Sequence, residues 1–259
     1  MTIKEFLLRV YNWGFVSHEK TDNNQQKIRN AEWNAIVEYI PYNTKFVDIG
    51  CGAGYSMEKA WLDRRCDCYG IDPCPGEHGV GRYDQLKDSL NIKQGYAEAV
   101  PYDDKSFDVV YSSHVLEHVK DEVKSLSEMR RILKDDGILI IGMPTATMAW
   151  VNFFTQLLFT THQRIFNVLF KLVPGITTGN TPLVNMLIPY SHSYPRAKTI
   201  FYDIIHYRIL NWRKLVEKEF YVERELRPAI YPYPEYRQLF KLRKNKRLSS
   251  SVFFICKKK

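Results

Sequence analysis

The sequence predicts an α/β fold built on a doubly wound, largely parallel sheet. Three observations carry that expectation. Lys45 to Asp48 reads as a short buried strand that runs into glycines at Gly50, Gly52 and Gly54, with helix-forming residues after them. A second apolar run, Cys66 to Ile71, ends in an acidic residue, Asp72. From there to Pro144, strand-like and helix-like stretches alternate, the pattern of parallel strands joined by crossover helices.

Taken in order, residues 1–20 mix apolar and basic side chains and suit a short helix. Glu19 to Gln26 reads as a charged, polar break. Ile28 to Ile40 places Trp33, Ile36, Val37 and Ile40 on one helical face and stops at Pro41. Tyr55 to Leu62 is the first helix after the glycine turn, and Tyr83 to Leu90 a short one. Ile92 to Tyr96 and Phe107 to Ser112 are the third and fourth strands. Lys120 to Leu133 has helical spacing, Lys134 to Gly137 reads as its terminal turn, and Ile138 to Met143 is a wholly apolar central strand.

After Pro144 the pattern changes. Residues 148–173 are rich in aromatic and aliphatic side chains and carry no formal charge up to Gln163. Pro144, threonine, asparagine and glutamine interrupt the run, so one or two amphipathic helices are expected there rather than a membrane span. Residues 174–203 read as a long loop punctuated by Pro174, Pro182, Pro189 and Pro195. Asn211 to Phe220 is a helix, and Tyr221 to Leu226 and Val252 to Lys257 are the sixth and seventh strands.

The glycine turn narrows the ligand. Glycine is needed where the backbone takes positive φ or something approaches it closely. The spacing fits no dinucleotide fingerprint, because Tyr55 or Met57 falls where the third small residue belongs. Asp48 would repel a pyrophosphate and suits a ligand bearing an ammonium and a sulfonium. Asp48-x-Gly50-x-Gly52-x-Gly54 resembles motif I of the class I S-adenosylmethionine-dependent methyltransferases, of the type 11 and type 23 kind. Gly95 to Val110 and Ser112 to Gly137 are similar to that family in the same order and spacing, so the likeness extends from about Lys45 to Pro144.

The resemblance implies a Rossmann-like seven-stranded methyltransferase sheet, with an inserted helical and loop region before the sixth strand and an antiparallel seventh strand. It divides one domain, 1–259, into N-terminal lid helices (1–40), a core (41–144), an insertion (145–210) and C-terminal strands (211–259). It implies S-adenosyl-L-methionine as cofactor. Asp48, Gly50, Gly52 and Gly54 would hold its methionine end, Asp72 its ribose hydroxyls, and Ala97 and Glu98 the flanks of the adenine. The family's acidic residue after Gly95 is here Tyr96, which is suited to stacking on the base. Tyr11 and Trp33 are candidates for the lid.

An acceptor hydroxyl must also lose a proton, and imidazole titrates near neutrality. His114, His118 and His206 are the candidate catalytic bases, with His192 beside them. The His114 to His118 pentad is similar to the Glu-x-x-Glu-His string that holds a divalent metal in small-RNA 2′-O-methyltransferases and some ubiquinone-pathway O-methyltransferases. Only Glu117 and His118 match it, and no metal is expected. Cys66, Cys68 and Cys74 are expected as free thiols rather than a zinc site.

A net charge of +8 and a pI near 9.1 favour anionic partners. Five cysteines, an odd number, and no recognisable secretory signal suggest a reducing, cytoplasmic setting. The apolar insertion is expected to line the acceptor pocket, with peripheral membrane contact as the alternative, and the basic run from Arg237 to Arg247 reads as a solvated face. The expected reaction is therefore O-methylation of a small molecule, sugar or lipid-linked glycan. The alternatives are an RNA 2′-O-methyltransferase and a non-catalytic cofactor-binding regulatory subunit.

Overall fold

The computed structural model describes residues 5, 9–10, 12–13, 15–86, 91–171, 189, 191–193, 199–235, 242–243, 245 and 247–259. Helix α1 (His18–Ile36) leads through a 3-10 turn (Val37–Tyr39) to β1 (Lys45–Ile49), α2 (Tyr55–Arg64) and β2 (Asp67–Asp72). Next come α3 (Tyr83–Leu86), β3 (Asn91–Gln94), β4 (Phe107–Ser113), α4 (Glu122–Ile132) and β5 (Leu133–Pro144). The chain continues with α5 (Ala146–Lys171), α6 (Ile200–His206), α7 (Ile209–Val216), β6 (Phe220–Leu226) and β7 (Ser251–Lys258).

The seven strands form one sheet in the order β3-β2-β1-β4-β5-β7-β6. All pairs are parallel except those of β7, which runs antiparallel between β5 and β6. The chain works outward from β1 to β3, then crosses back to place β4 on the other side of β1. The carboxyl ends of β1 and β4 therefore flank a topological switch point, where open α/β sheets take their ligands.

Period-two alternation sorts the buried side chains into two layers. Phe46 on β1 and Val109 and Tyr111 on β4 face Trp33, Ile36, Met57 and Ala60 from α1 and α2. Val47 and Ile49, with Val110, face Leu126, Met129 and Ile132 of α4 and Trp212 and Val216 of α7. Both faces of the central strands are covered, which is why they read as continuous apolar runs.

Three expectations are corrected. The polar stretch Glu19 to Gln26 is helix, because Ser17 caps α1 by accepting from the Lys20 amide and the polar residues lie on its solvated side. Lys134 to Gly137 is not a turn. β5 starts at Leu133, opposite Phe107, and a register shift before the Val109–Ile138 pair accommodates the charged residues. Residues 146–171 form one helix of 26 residues, in keeping with the one or two expected. Within 174–203, Ile200 begins helix α6 rather than continuing the loop. Most of residues 1–14, 87–90, most of 172–198 and most of the basic run 237–247 lie outside the described residues.

Helix α5 buries polar side chains beside the apolar Met148, Ala149 and Phe159 and turns aromatic ones outward. Asn152, Thr155, Gln156 and Thr160 are buried, and the Asn152 amide oxygen accepts from the Tyr233 amide at 3.1 Å. Trp150, Phe154 and Leu158 point outward at 46%, 62% and 53% exposure. Among the described residues, no helix is long and apolar enough to cross a membrane.

Candidate active site

A cleft of about 990 Å³ opens at the switch point. Its walls come from the turn after β1, the ends of β2 and β4, the Gly95–Ala99 segment and the inner face of α1. Gly50 and Gly52 have φ of +79° and +50°, so the turn needs residues without a Cβ. It is packed as well as bent. A Cβ on Gly50 would lie 2.2 Å from Val115 Cγ2, and one on Gly52 would lie 2.5 Å from the His78 carbonyl oxygen. Gly54, also left-handed, begins α2 and does not line the cleft.

Asp72 ties the turn to β2. Its Oδ2 accepts from the Gly52 amide at 2.9 Å and its Oδ1 from the Cys74 amide at 2.8 Å. Each oxygen keeps acceptor capacity toward the cleft that Asp72 lines. Asp48 is buried at the cleft floor. Burial, and then the neighbouring Asp72 charge, push its carboxyl up to about 8, against a hydrogen bond from Ser56 and the charge of Arg29. A buried carboxyl whose ionisation is this unfavourable suits a cationic ligand. A ligand ammonium must displace the Asp48 proton below about pH 8. Affinity is therefore expected to fall about tenfold per unit from pH 8 to pH 6, and this slope should vanish in Asp48→Asn. Calorimetry across that range checks it.

Ala97 and Glu98 line the cleft, with Tyr96 at its rim, 64% exposed. Glu98 Oε1 accepts from the Lys120 amide at 2.8 Å, so its carboxylate also fixes the loop after β4. Trp33 is not a lid. It is buried in the α1–α2 layer, with Nε1 donating to Asp63 at 2.7 Å. Arg29 and Gln25 are the α1 residues that reach the cleft, and Tyr11 lies outside the described residues. Cys66 and Cys68 are buried and Cys74 half-buried, all as free thiols.

The histidines separate. Residues 114–118 are a turn, not a helix, and His114 has φ of +58°. Its Nε2 sits 3.1 Å from Glu32 Oε1 and its Nδ1 3.4 Å from Glu117 Oε1. Burial disfavours its charged form, but the Glu32 charge and the contacts with Glu117 and Glu32 together outweigh that and hold it above the ordinary imidazole value. With both ring nitrogens against carboxylates, His114 is a poor base in this arrangement. His118 lines the cleft, exposed, with its ring 5.2 Å from that of His192. His206 is not in the cleft. It borders a separate cavity of about 240 Å³ and stacks on Tyr202 at 3.7 Å.

Three contributors had escaped the sequence reading: Arg29, Glu32 and Tyr231. Glu32 Oε2 accepts from Arg29 at 2.7 Å and Oε1 from the Tyr231 hydroxyl at 2.5 Å. Arg29, His114 and these hydrogen bonds overcome the cost of burial and hold Glu32 well below the usual carboxylate range. The available signal was a glutamate between Ile28 and Ile36 on the apolar stripe of α1, a place charge occupies only when paired.

Residues 47–141 match the family model described as "Methyltransferase domain". Those residues are a methyltransferase domain of the class I S-adenosylmethionine-dependent kind. The methyltransferase domain is 30% identical over 115 residues to an ajmaline N-methyltransferase of Rauvolfia serpentina, covering 43% of this chain and 39% of that protein. It is 31% identical over 110 residues to a ubiquinone/menaquinone biosynthesis C-methyltransferase of Campylobacter jejuni, covering 40% of this chain and 46% of that one. The matches thus span less than half the length of either relative. The fold is shared with a crystal structure from Thermotoga maritima described as a SAM-dependent methyltransferase and possible histamine N-methyltransferase. The TM-score is 0.55 at 18% identity, over 93% of this chain and 95% of that one.

The site fits the cofactor that this family uses. Asp48 offers a buried carboxylate for an ammonium, Asp72 has acceptor capacity for ribose hydroxyls, and Tyr96, Ala97 and Glu98 border a slot for a base.

Proposed function

We propose that the chain transfers a methyl group from S-adenosylmethionine to an oxygen of a small molecule, sugar or lipid-linked glycan. The observation that carries the cofactor half is Asp48, a buried carboxyl pushed up to about 8 at the floor of a cleft closed by the Gly50–Gly52 turn. Bound S-adenosylmethionine would supply a methyl group on a sulfonium, an electrophile that needs only an acceptor in line. The chain's part is to hold and exclude. Asp48 binds the ammonium, Asp72 the ribose, and Tyr96, Ala97 and Glu98 the adenine. His118 is the candidate base and takes the acceptor's proton on an imidazole nitrogen, because its ring lines the cleft while His114 is held between Glu32 and Glu117.

The acceptor half is supported by α5. Its outward face, Trp150, Phe154 and Leu158, continues to Phe201 and Ile205 of α6, at 48% and 53% exposure. That apolar surface, on a chain of net charge +8, suits an anionic bilayer presenting a lipid-linked substrate.

Release of S-adenosylhomocysteine is the test, with glycans, lipid-linked glycans in anionic vesicles, and RNA as acceptors. Turnover is expected on a glycan or lipid-linked glycan, giving a methyl ether. His118→Ala should lower kcat about 10²–10⁴-fold without changing S-adenosylhomocysteine affinity. Turnover on RNA alone would replace the acceptor class, and cofactor binding without turnover on any acceptor would favour a regulatory subunit.

A further inference from the structure

Beside the cofactor cleft, Glu117 presents a chemical problem that methyl transfer leaves unsolved. It is 1% exposed, and neither carboxylate oxygen accepts a hydrogen bond. Its nearest cationic or donor groups are His114 Nδ1 at 3.4 Å and His192 Nε2 at 3.6 Å, and His192 Nε2 has no hydrogen-bond partner either. Two imidazoles and a buried carboxylate thus converge on one point without closing hydrogen bonds on one another.

We infer that His114, Glu117 and His192 form a binding site for one divalent transition-metal ion. The three donor atoms lie within 4.8 Å of one another. Donors about 2.1 Å from a tetrahedral ion stand about 3.4 Å apart, close to the 3.4 and 3.6 Å found here. Two imidazoles and one carboxylate favour zinc or a neighbouring transition ion over magnesium or calcium, which prefer all-oxygen sites.

The surrounding groups are arranged to present these donors. Glu32 Oε1 is placed to accept from His114 Nε2 at 3.1 Å, and an ion entering would displace the proton from Nδ1, the nitrogen that faces Glu117. Arg29 and Tyr231 fix Glu32 in turn. This is the carboxylate–histidine–metal relay that orients metal-bound imidazoles. On the other side, Asp203 Oδ2 accepts from the His192 amide and its Oδ1 from Ser191 Oγ, both at 2.6 Å, so the His192 segment is pinned. The cluster combines residues 114 and 117 from the turn after β4 with residue 192 from the insertion. The ion would therefore tie the insertion to the core at the acceptor end of the cleft. Any role in polarising an acceptor oxygen rests on the methyl-transfer reading; the site itself does not.

The test uses the full chain stripped with a chelator and dialysed against zinc, or against cobalt(II) as a spectroscopic probe. One ion per chain is expected, with cobalt giving visible d–d bands. Glu117→Gln and His192→Ala should each weaken zinc at least 100-fold, and Glu32→Gln about 10–100-fold. His18→Ala, an exposed histidine on α1, should leave binding unchanged. S-adenosylhomocysteine binding by each variant verifies the fold, so failure of the metal site is distinguishable from failure of the cofactor site. Absence of cobalt bands and of retained zinc in the wild-type chain would overturn the inference. So would retention that survives Glu117→Gln and His192→Ala.

Discussion

Asp48→Asn should weaken S-adenosylhomocysteine binding about 100-fold, or about 2.7 kcal/mol, while leaving thermal stability unchanged or raised. Both halves follow from one fact. The carboxyl is buried beside Asp72 and pushed up to about 8, so the fold prefers it neutral. With a folded value above the unfolded one near 3.9, ionised Asp48 costs stability progressively from about pH 4 to about pH 8. A neutral amide of the same shape removes that slope and the ligand's counter-charge together. A residue kept for packing would behave oppositely, losing stability and leaving the affinity little changed. Isothermal titration and thermal melts at pH 7.5 separate the two.

Glu32→Ala has the largest expected effect on stability, a loss of about 2–4 kcal/mol in urea or thermal unfolding. Breaking a buried ion pair by removing one partner costs about 3–5 kcal/mol. The Arg29 side chain keeps 27% exposure toward the cleft, so water recovers part of that. The remainder comes from His114 and the Tyr231 hydroxyl, both of which lose their acceptor. A change below about 1 kcal/mol would show that Glu32 is not the keystone of the α1 contact with the sheet.

Much of the sheet was legible because its strands are covered on both faces. β1, β4 and most of β5 are nearly uniform apolar runs, and the turn chemistry around Gly50 and Gly52 has few solutions. The start of β5 was not legible. Charged residues at a bulge look like a turn, and only the pairing with Phe107 shows otherwise. α1 extended through a polar stretch because one buried face suffices to hold a helix. α5 misled in another way. Its polar residues read as interruptions of an apolar helix, whereas they share its inner face with Met148, Ala149 and Phe159.

The site divided along the same line. Asp48, Gly50, Gly52 and Asp72 lie within one strand–turn–helix–strand unit, so local spacing exposed them. The Glu32–His114 contact joins residues 82 apart, and Tyr231 reaches Glu32 across 199. Those pairings depend on how α1 and the segment after β6 settle over the sheet, which no local pattern encodes. His206 was misplaced for the same reason. Its segment returns beside α5 and α7 rather than over the cleft.

The central claim is that the cleft at the β1–β4 switch point binds the methyl donor through Asp48 and Asp72. Calorimetric titration of the purified chain with S-adenosylhomocysteine, beside NAD and ATP, tests it most directly. The account expects one site of micromolar affinity for S-adenosylhomocysteine and none of comparable strength for the other two. Equal or tighter binding of NAD or ATP, or S-adenosylhomocysteine binding that is indifferent to Asp48→Asn, would contradict it.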